Sequence, residues 1–185
     1  MISPELSGQM EVRILRSRRR RRTVSARLTK GTLVVRVPAS LPEGRLEEIV
    51  SEFKRKFERR RLKAELNSKQ NLAEIAAALN RRYFFNKLKI NSIEYVTDQE
   101  AKFGCCNYTE ARIRISHRIS LMPKWVRDYV IVHEMAHLIE PNHGRAFWEI
   151  VARYSLSERA RGYLMAVGLE SLDLEDGPAG LSPAG

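Results

Sequence analysis

The sequence predicts an α+β fold, a small antiparallel or mixed sheet packed by helices, and three observations predict it. Residues 11–37 and 88–117 alternate apolar and polar side chains at the period of a half-buried strand. Residues 46–57, 72–85 and 124–140 instead repeat apolar side chains at helical spacing, with no glycine or proline inside them. A chain of 185 residues is also long enough to bury a real core as one compact unit.

The first block reads as a hairpin. Val24, Ala26 and Leu28 alternate with polar neighbours, Lys30-Gly31 makes the turn, and Leu33, Val35 and Val37 resume the alternation. Just upstream, Arg16 to Arg22 read "RSRRRRR". This run is either the exposed connection into the hairpin or a phosphate-binding arm made of Arg18, Arg19, Arg20, Arg21 and Arg22. Ser40 and Glu43 then have the spacing of a capping box, and Leu46, Ile49, Val50, Phe53 and Phe57 form the apolar stripe of a long helix. Its later turns carry Lys54, Arg55, Lys56, Arg59, Arg60, Arg61 and Lys63, a positive face open either to solvent or to a nucleic acid or nucleotide.

A second helix is expected from Leu72 to Phe85, because Leu72, Ile75, Ala76, Leu79 and Tyr83 share one face. "LKINSIEYVT" and "ARIRISHRI" read as strands, with "KFGCC" leading into a polar hairpin loop, "NYTEA". Pro123 opens the next helix, which has no breaker before Pro141. Two further helices are expected, from Arg145 to Tyr154 and from Glu158 to Val167, the last with Ser157 as its cap. The end, "ESLDLEDGPAGLSPAG", is poor in core-forming residues and reads as a disordered tail.

Composition narrows the setting. No run of about 18 apolar residues occurs, so no membrane span is expected. The opening "MISPELSGQM" lacks the basic-then-apolar design of a secretory signal. The only cysteines, Cys105 and Cys106, are adjacent and cannot form a spaced disulfide framework, which points to a reducing cytoplasm. The net charge of +11 is uneven: residues 1–63 hold 18 Lys/Arg against 7 Asp/Glu, while residues 64–185 hold 15 against 15. Clustered cations gain affinity by displacing counterions from phosphates, so a polyanionic partner is expected for the first third.

The chemistry is concentrated in "HEMAHLIEPNH", His133 to His143. Four residues apart on a helix, His133 and His137 lie on one face and can direct ring nitrogens at one ion. Glu134 is rotated by about 100° from His133, so it is better placed to reach a water in the site than to ligate. A catalytic zinc site generally needs a third protein ligand and keeps one position open. His143 is the candidate, because Pro141 should end the helix near Glu140 and let the chain turn back. Gly144 would ease entry into the next helix. Such a cation lowers the pKa of a water it binds, and Glu134 can take the proton and later pass it to a leaving group. Zinc is the expected ion, with Ni2+, Co2+ or Cu2+ able to compete by affinity. His117, alone in a strand, is read as a packing residue. Two sequence neighbours seldom face one ion, and Cys105, which alternates to the other side of the strand from Cys106, is read as packing.

On these residues the chain resembles the YgjP-like metallopeptidase family, relatives of the SprT-like and WLM zinc proteases. "DYVIVHEMAHLIEPNHGRAFWEIV" is similar to the family's Asp-Tyr-Val-Val-His-Glu-Leu-x-His, Pro-Asn-His and Phe-Trp pattern. The arginine-rich early strands, the long helix after "VPAS" and "LNRRYF" (Leu79 to Phe84) extend the likeness over most of residues 11–155. The resemblance implies a zincin-like core with an HExxH active-site helix, His133, His137 and His143 as zinc ligands, and Glu134 as the catalytic glutamate. It also implies one domain over residues 1–169, with basic strands and helix at 11–66, a catalytic part at 68–169, and residues 170–185 as tail. The family's Trp-Gly-Ser-Cys stands here as "FGCC", so Cys106 matches while Phe103 and Cys105 depart. Phe103, Gly104 and Cys106 are candidates for a strand lining the cleft, and the hairpin at 101–117 could align an extended peptide along its edge.

The expected function is a zinc-dependent hydrolase acting on a peptide or protein. A second expectation is a metal-dependent nucleoside triphosphate pyrophosphatase, an activity with which the family has been linked. A third is a nucleic-acid-binding protein, or a protease working beside nucleic acid, since the SprT-like and WLM relatives act on proteins bound or crosslinked to DNA.

Overall fold

The computed structural model describes residues 10–167, which divide after Arg61 into two compact units. The predicted disordered tail, residues 170–185, lies outside the described residues. Among those described, no helix is long and apolar enough to cross a membrane.

The first unit holds β1 (Val12–Ser17), β2 (Ser25–Thr29) and β3 (Thr32–Pro38) in the order β1-β3-β2. The β2–β3 hairpin forms as the alternation predicts. Its turn places Lys30 at φ 50° and Gly31 at φ 86°, the left-handed pair of a tight hairpin turn, where glycine carries no Cβ penalty. β1 joins the other side of β3 in parallel. One face of the sheet buries Leu33, Val35 and Val37 with Leu46, and Val12, Ala26, Val50, Phe53 and Phe57 pack around them.

Helix α1 (Glu43–Lys69) starts in this unit and ends in the second. The capping box does not form. Glu43 is the first helical residue, and its carboxylate takes a 2.6 Å ion pair from Arg16, whose other nitrogen donates to the carbonyls of Ala39 and Leu41. Arg16 therefore ties the end of β1 to the start of α1 through carbonyls that the loop leaves over, a long-range contact that outcompetes a local one.

The second unit contains the end of α1, then α2 (Leu72–Tyr83), β4 (Ser92–Val96), β5 (Gly104–Asn107), β6 (Arg112–Ser116), α3 (Lys124–Ala136), α4 (Arg145–Val151) and α5 (Ser157–Ala166). Its sheet repeats the pattern of the first: order β4-β6-β5, with β4 parallel and β5 antiparallel to β6. Asn67, near the end of α1, acts as a substitute strand. Its amide accepts from Tyr95 N at 2.8 Å and donates to Tyr95 O at 3.0 Å, pairing backbone that β4 would otherwise leave open.

Several boundaries differ from the sequence expectation. α2 stops at Tyr83 because Phe85 and Asn86 adopt φ 55° and 59°, with Asn86 N bonded back to Asn80 O. Buried Asn80 then holds Leu88 through both its amide groups, fixing the approach to β4. His117 does not belong to a strand: it opens a short 3₁₀ turn, His117–Leu121. Ser157 is the first residue of α5 rather than its cap, which is Leu156. α4 ends at Val151, three residues early.

α3 is the centre of the core. Val126, Tyr129, Val130, Ile131, Val132, Met135 and Ala136 are all fully buried, which is why the helix is apolar nearly all round. It packs on β5 and β6 and against α2, α4 and α5. Each large aliphatic side chain buried there contributes about 1.5–3 kcal/mol, so the polar pair His133 and Glu134 rides on a helix that packing holds in place.

Candidate metal centre

His133 and Glu134 lie in the last turn of α3 and are only 3% and 4% exposed. His137 is the residue that closes the helix, at φ −64° and ψ −18°. The chain then tightens: Leu138 N bonds to Met135 O and Ile139 N to Ala136 O, before Pro141 turns it outward. Six residues after His137, His143 comes back to the same place, just ahead of α4. Gly144 sits at φ −71°, an ordinary conformation with open space where a Cβ would be, so its freedom is not what makes the turn.

The three rings converge. One ring nitrogen from each of His133, His137 and His143 lies within 4.8 Å of the others, and His133 Nε2 stands 3.2 Å from His143 Nε2. Zinc–nitrogen bonds of about 2.0–2.1 Å in a tetrahedron separate their nitrogens by about 3.3 Å. The donor set therefore fits a tetrahedral ion, with three imidazole nitrogens and one position left over. His137 Nδ1 is 3.2 Å from Glu140 O. A carbonyl can only accept, so that nitrogen carries the proton and the ring's lone pair lies on Nε2. Burial, reinforced by His137, His143 and Arg161, holds the His133 imidazole well below its usual pKa and keeps it neutral.

An aromatic wall packs behind the rings. Phe147, fully buried on α4, has its ring centroid 4.9, 4.6 and 4.6 Å from those of His133, His137 and His143. Trp148 stacks on His143 at 5.8 Å, and Arg161 lies over Trp148 at 4.7 Å. Tyr129, one turn before His133, closes the inner side at 6.1 Å. Sequence reasoning gave none of these a role. The usable signal was the Phe-Trp pair, Phe147 and Trp148, just after His143 in the quoted pattern.

β5 supplies the other wall. A Cβ at Gly104 would stand 2.3 Å from Glu134 Oε1 and 2.6 Å from its Cγ, so the carboxylate lies directly on the glycine. Phe103 is buried beside it. Cys106, on the same face as Gly104, is half-buried, and its thiol is pushed up to about 12 by burial, then by Glu134 and Cys105. It is a thiol, not a thiolate, at neutral pH. Cys105 is exposed, so the packing role read for it from the sequence does not hold. Alternation on the strand turns Cys106 inward and Cys105 out.

Of the other residues singled out, Arg18 to Arg22 lie in the first unit, in the connection from β1 to β2. Among them Arg20 donates to Thr23 Oγ1 at 3.5 Å.

The sequence model of the YgjP-like family, metallopeptidase domain, matches residues 51–158, which include α3, β5 and all three histidines. Among solved structures, the crystal structure of the metallopeptidase zymogen of Pyrococcus abyssi abylysin is similar, at 14% identity and a TM-score of 0.44, over 51% of this chain and 90% of that one. No curated protein matches the chain. On a family match that spans more than half of its length, the chain belongs to the YgjP-like family through its metallopeptidase domain and is a hydrolase of the peptidase type.

Proposed function

We propose that the chain is a zinc-dependent peptidase in which His133, His137 and His143 hold the ion and Glu134 is the general base. Zinc held there supplies Lewis acidity, raising the acidity of water in the site and stabilising negative charge on an oxygen of the substrate. The observation that carries the reading is the convergence of three ring nitrogens within 4.8 Å beside a buried glutamate on the same helix turn.

Glu134 takes the proton of the attacking water and returns it to the leaving amine, so the carboxylate ends the cycle unchanged. Gly104 gives that carboxylate its place. The imidazole of His137 is oriented by Glu140 O, and Phe147 prevents the three rings from turning away from one another. β5 is an edge strand, and Ser116 N bonds to Phe103 O, so the backbone groups of Gly104 point away from β6. An extended peptide pairing along that edge would pass its carbonyl beside Glu134.

The test uses untagged protein. Elemental analysis should find about one zinc per chain, as a site with three protein ligands holds a single ion. Glu134→Gln should keep the metal and lose about 10²- to 10⁴-fold of its casein-cleaving activity, while His143→Ala should lose the metal itself. Wild-type cleavage by Glu134→Gln would sink the assignment. Pyrophosphate release from nucleoside triphosphates, with no peptide products, would move the site to phosphoanhydride chemistry.

A further inference from the structure

The feature that the peptidase reading leaves unused is the outer face of the first sheet. Between Val12 and Pro38 the sequence has ten Lys/Arg and no Asp or Glu. Strand register sorts them. Arg16 pairs with Val37 on the face that packs on α1 and is consumed by Glu43 and two carbonyls. Arg13, Arg27 and Arg36 fall on the opposite face: Arg13 and Arg27 both register with Val34, one on each side, and Arg36 lies two residues further along β3 beside Leu15 and Ser25.

All three side chains are exposed, and among the described residues none is in a hydrogen bond or ion pair. Arg18, Arg19, Arg21 and Arg22, which likewise have no partner among the described residues, continue the charge at the end where β1 leaves the sheet and β2 enters. Elsewhere many arginines are neutralised: Arg45, Arg112, Arg114, Arg127, Arg145 and Arg161 all pair with carboxylates. Among the described residues the carboxylate on this face is Glu11, at the far end of β1, and it is taken by Thr32 Oγ1 at 2.8 Å; the crowded arginines outnumber it and call for an anion from outside.

We propose that the outer face of β1, β3 and β2 is a binding surface for a single-stranded nucleic acid. Strands about 4.8 Å apart and a rise of about 3.3 Å per residue set Arg13, Arg27 and Arg36 roughly 7–10 Å from one another. That is the scale on which successive phosphates follow one another along an extended strand. Guanidinium groups pair with phosphate oxygens through two bonds at once and also stack on bases. Leu15 and Val34, half-buried between the arginines, give the bases an apolar floor. An open sheet face suits an unpaired strand, whose bases can lie on it, better than a duplex, which shows such a face only its outer phosphates. This surface stands independently of the peptidase reading, because none of its residues lies in the metal centre.

The test is fluorescence anisotropy of the full chain with a labelled 20-nucleotide oligo(dT), between 50 and 200 mM salt. Each phosphate contact on a single strand contributes about −0.7 to the slope of log K against log salt, so replacing Arg13, Arg27 and Arg36 together with Gln should flatten the slope by about 2. Arg→Lys at the same three positions should restore most of it. Removing three charges elsewhere, with Arg81, Lys87 and Lys89→Gln in the second unit, should leave it unchanged. Equal flattening by both Gln triples would show a response to net charge alone and overturn the proposal. So would an unchanged slope in the first triple, or duplex binding more tightly than oligo(dT). If the Gln triple unfolds, judged by circular dichroism, the single Arg27→Gln decides: a slope change of about 0.7 supports the surface and none refutes it.

Discussion

Gly104 is the residue whose absence of a side chain matters most. Glu134 Oε1, Cγ and Cδ occupy the space within 2.3–2.7 Å of where its Cβ would stand, and the glutamate is itself buried, so it cannot simply swing into water. Gly104→Ala should displace the carboxylate without touching the histidines. A shift on the order of 1 Å in a reacting group can cost about 10²-fold in rate, so kcat for peptide cleavage should fall by that order while bound zinc stays at the wild-type level. Loss of metal together with activity would mean that the glycine supports the ligands instead. Next along the strand, the two free cysteines make a simpler test. With its pKa raised to about 12, Cys106 has almost no thiolate at pH 8, whereas Cys105 is exposed. Iodoacetamide followed by mass spectrometry should find Cys105 alkylated and Cys106 spared; labelling of both to the same extent would contradict the burial.

At the scale of elements, what the sequence made legible was local and periodic. Alternation in 24–37 located the β2–β3 hairpin, and helical spacing located α2 and α3 to within a few residues, because both patterns record which face is buried. Ends were harder, since they are decided by partners distant in sequence. Glu43 looked like half of a capping box with Ser40 but answers to Arg16, 27 residues away. His117 followed a strand without belonging to it. At the metal centre, the spacing of His133 and His137 was readable because a helix repeats, but the wall behind them came from α4, which no period connects to α3. That wall supports a prediction. Phe147→Ala removes a fully buried ring touching all three histidines and should cost about 3–5 kcal/mol of stability, measured by denaturant unfolding. Zinc affinity should weaken by about 10- to 100-fold, as for other residues that orient ligands. Phe147→Leu, which keeps most of the volume, should recover most of the stability but less of the affinity, because a branched aliphatic chain does not lie flat against His137 as the ring does.

Over the whole molecule, the division of charge was visible in composition, whereas the pairing of strands was not. Both sheets join their first strand to their last in parallel, and no local pattern announces a partner reached by skipping a strand. Burial of the metal centre has a further consequence for how stability depends on pH. The His133 pKa is depressed in the fold, first by burial and then by its histidine neighbours, from an ordinary value of 6.5. Below pH 6.5 the unfolded chain takes up a proton at this site that the folded chain refuses, so protons favour unfolding. The contribution of His133 is therefore fully present above pH 6.5 and is lost as pH falls from there toward the depressed folded value. Chelator-treated protein should show its urea midpoint falling between pH 6.5 and 5, and His133→Gln, which cannot titrate, should show a shallower fall over the same window. Carboxylates protonate in both proteins and cancel in the comparison. An identical pH dependence for the two would mean that the His133 ring takes up its proton as readily in the fold as in the unfolded chain, which would contradict the depression by burial.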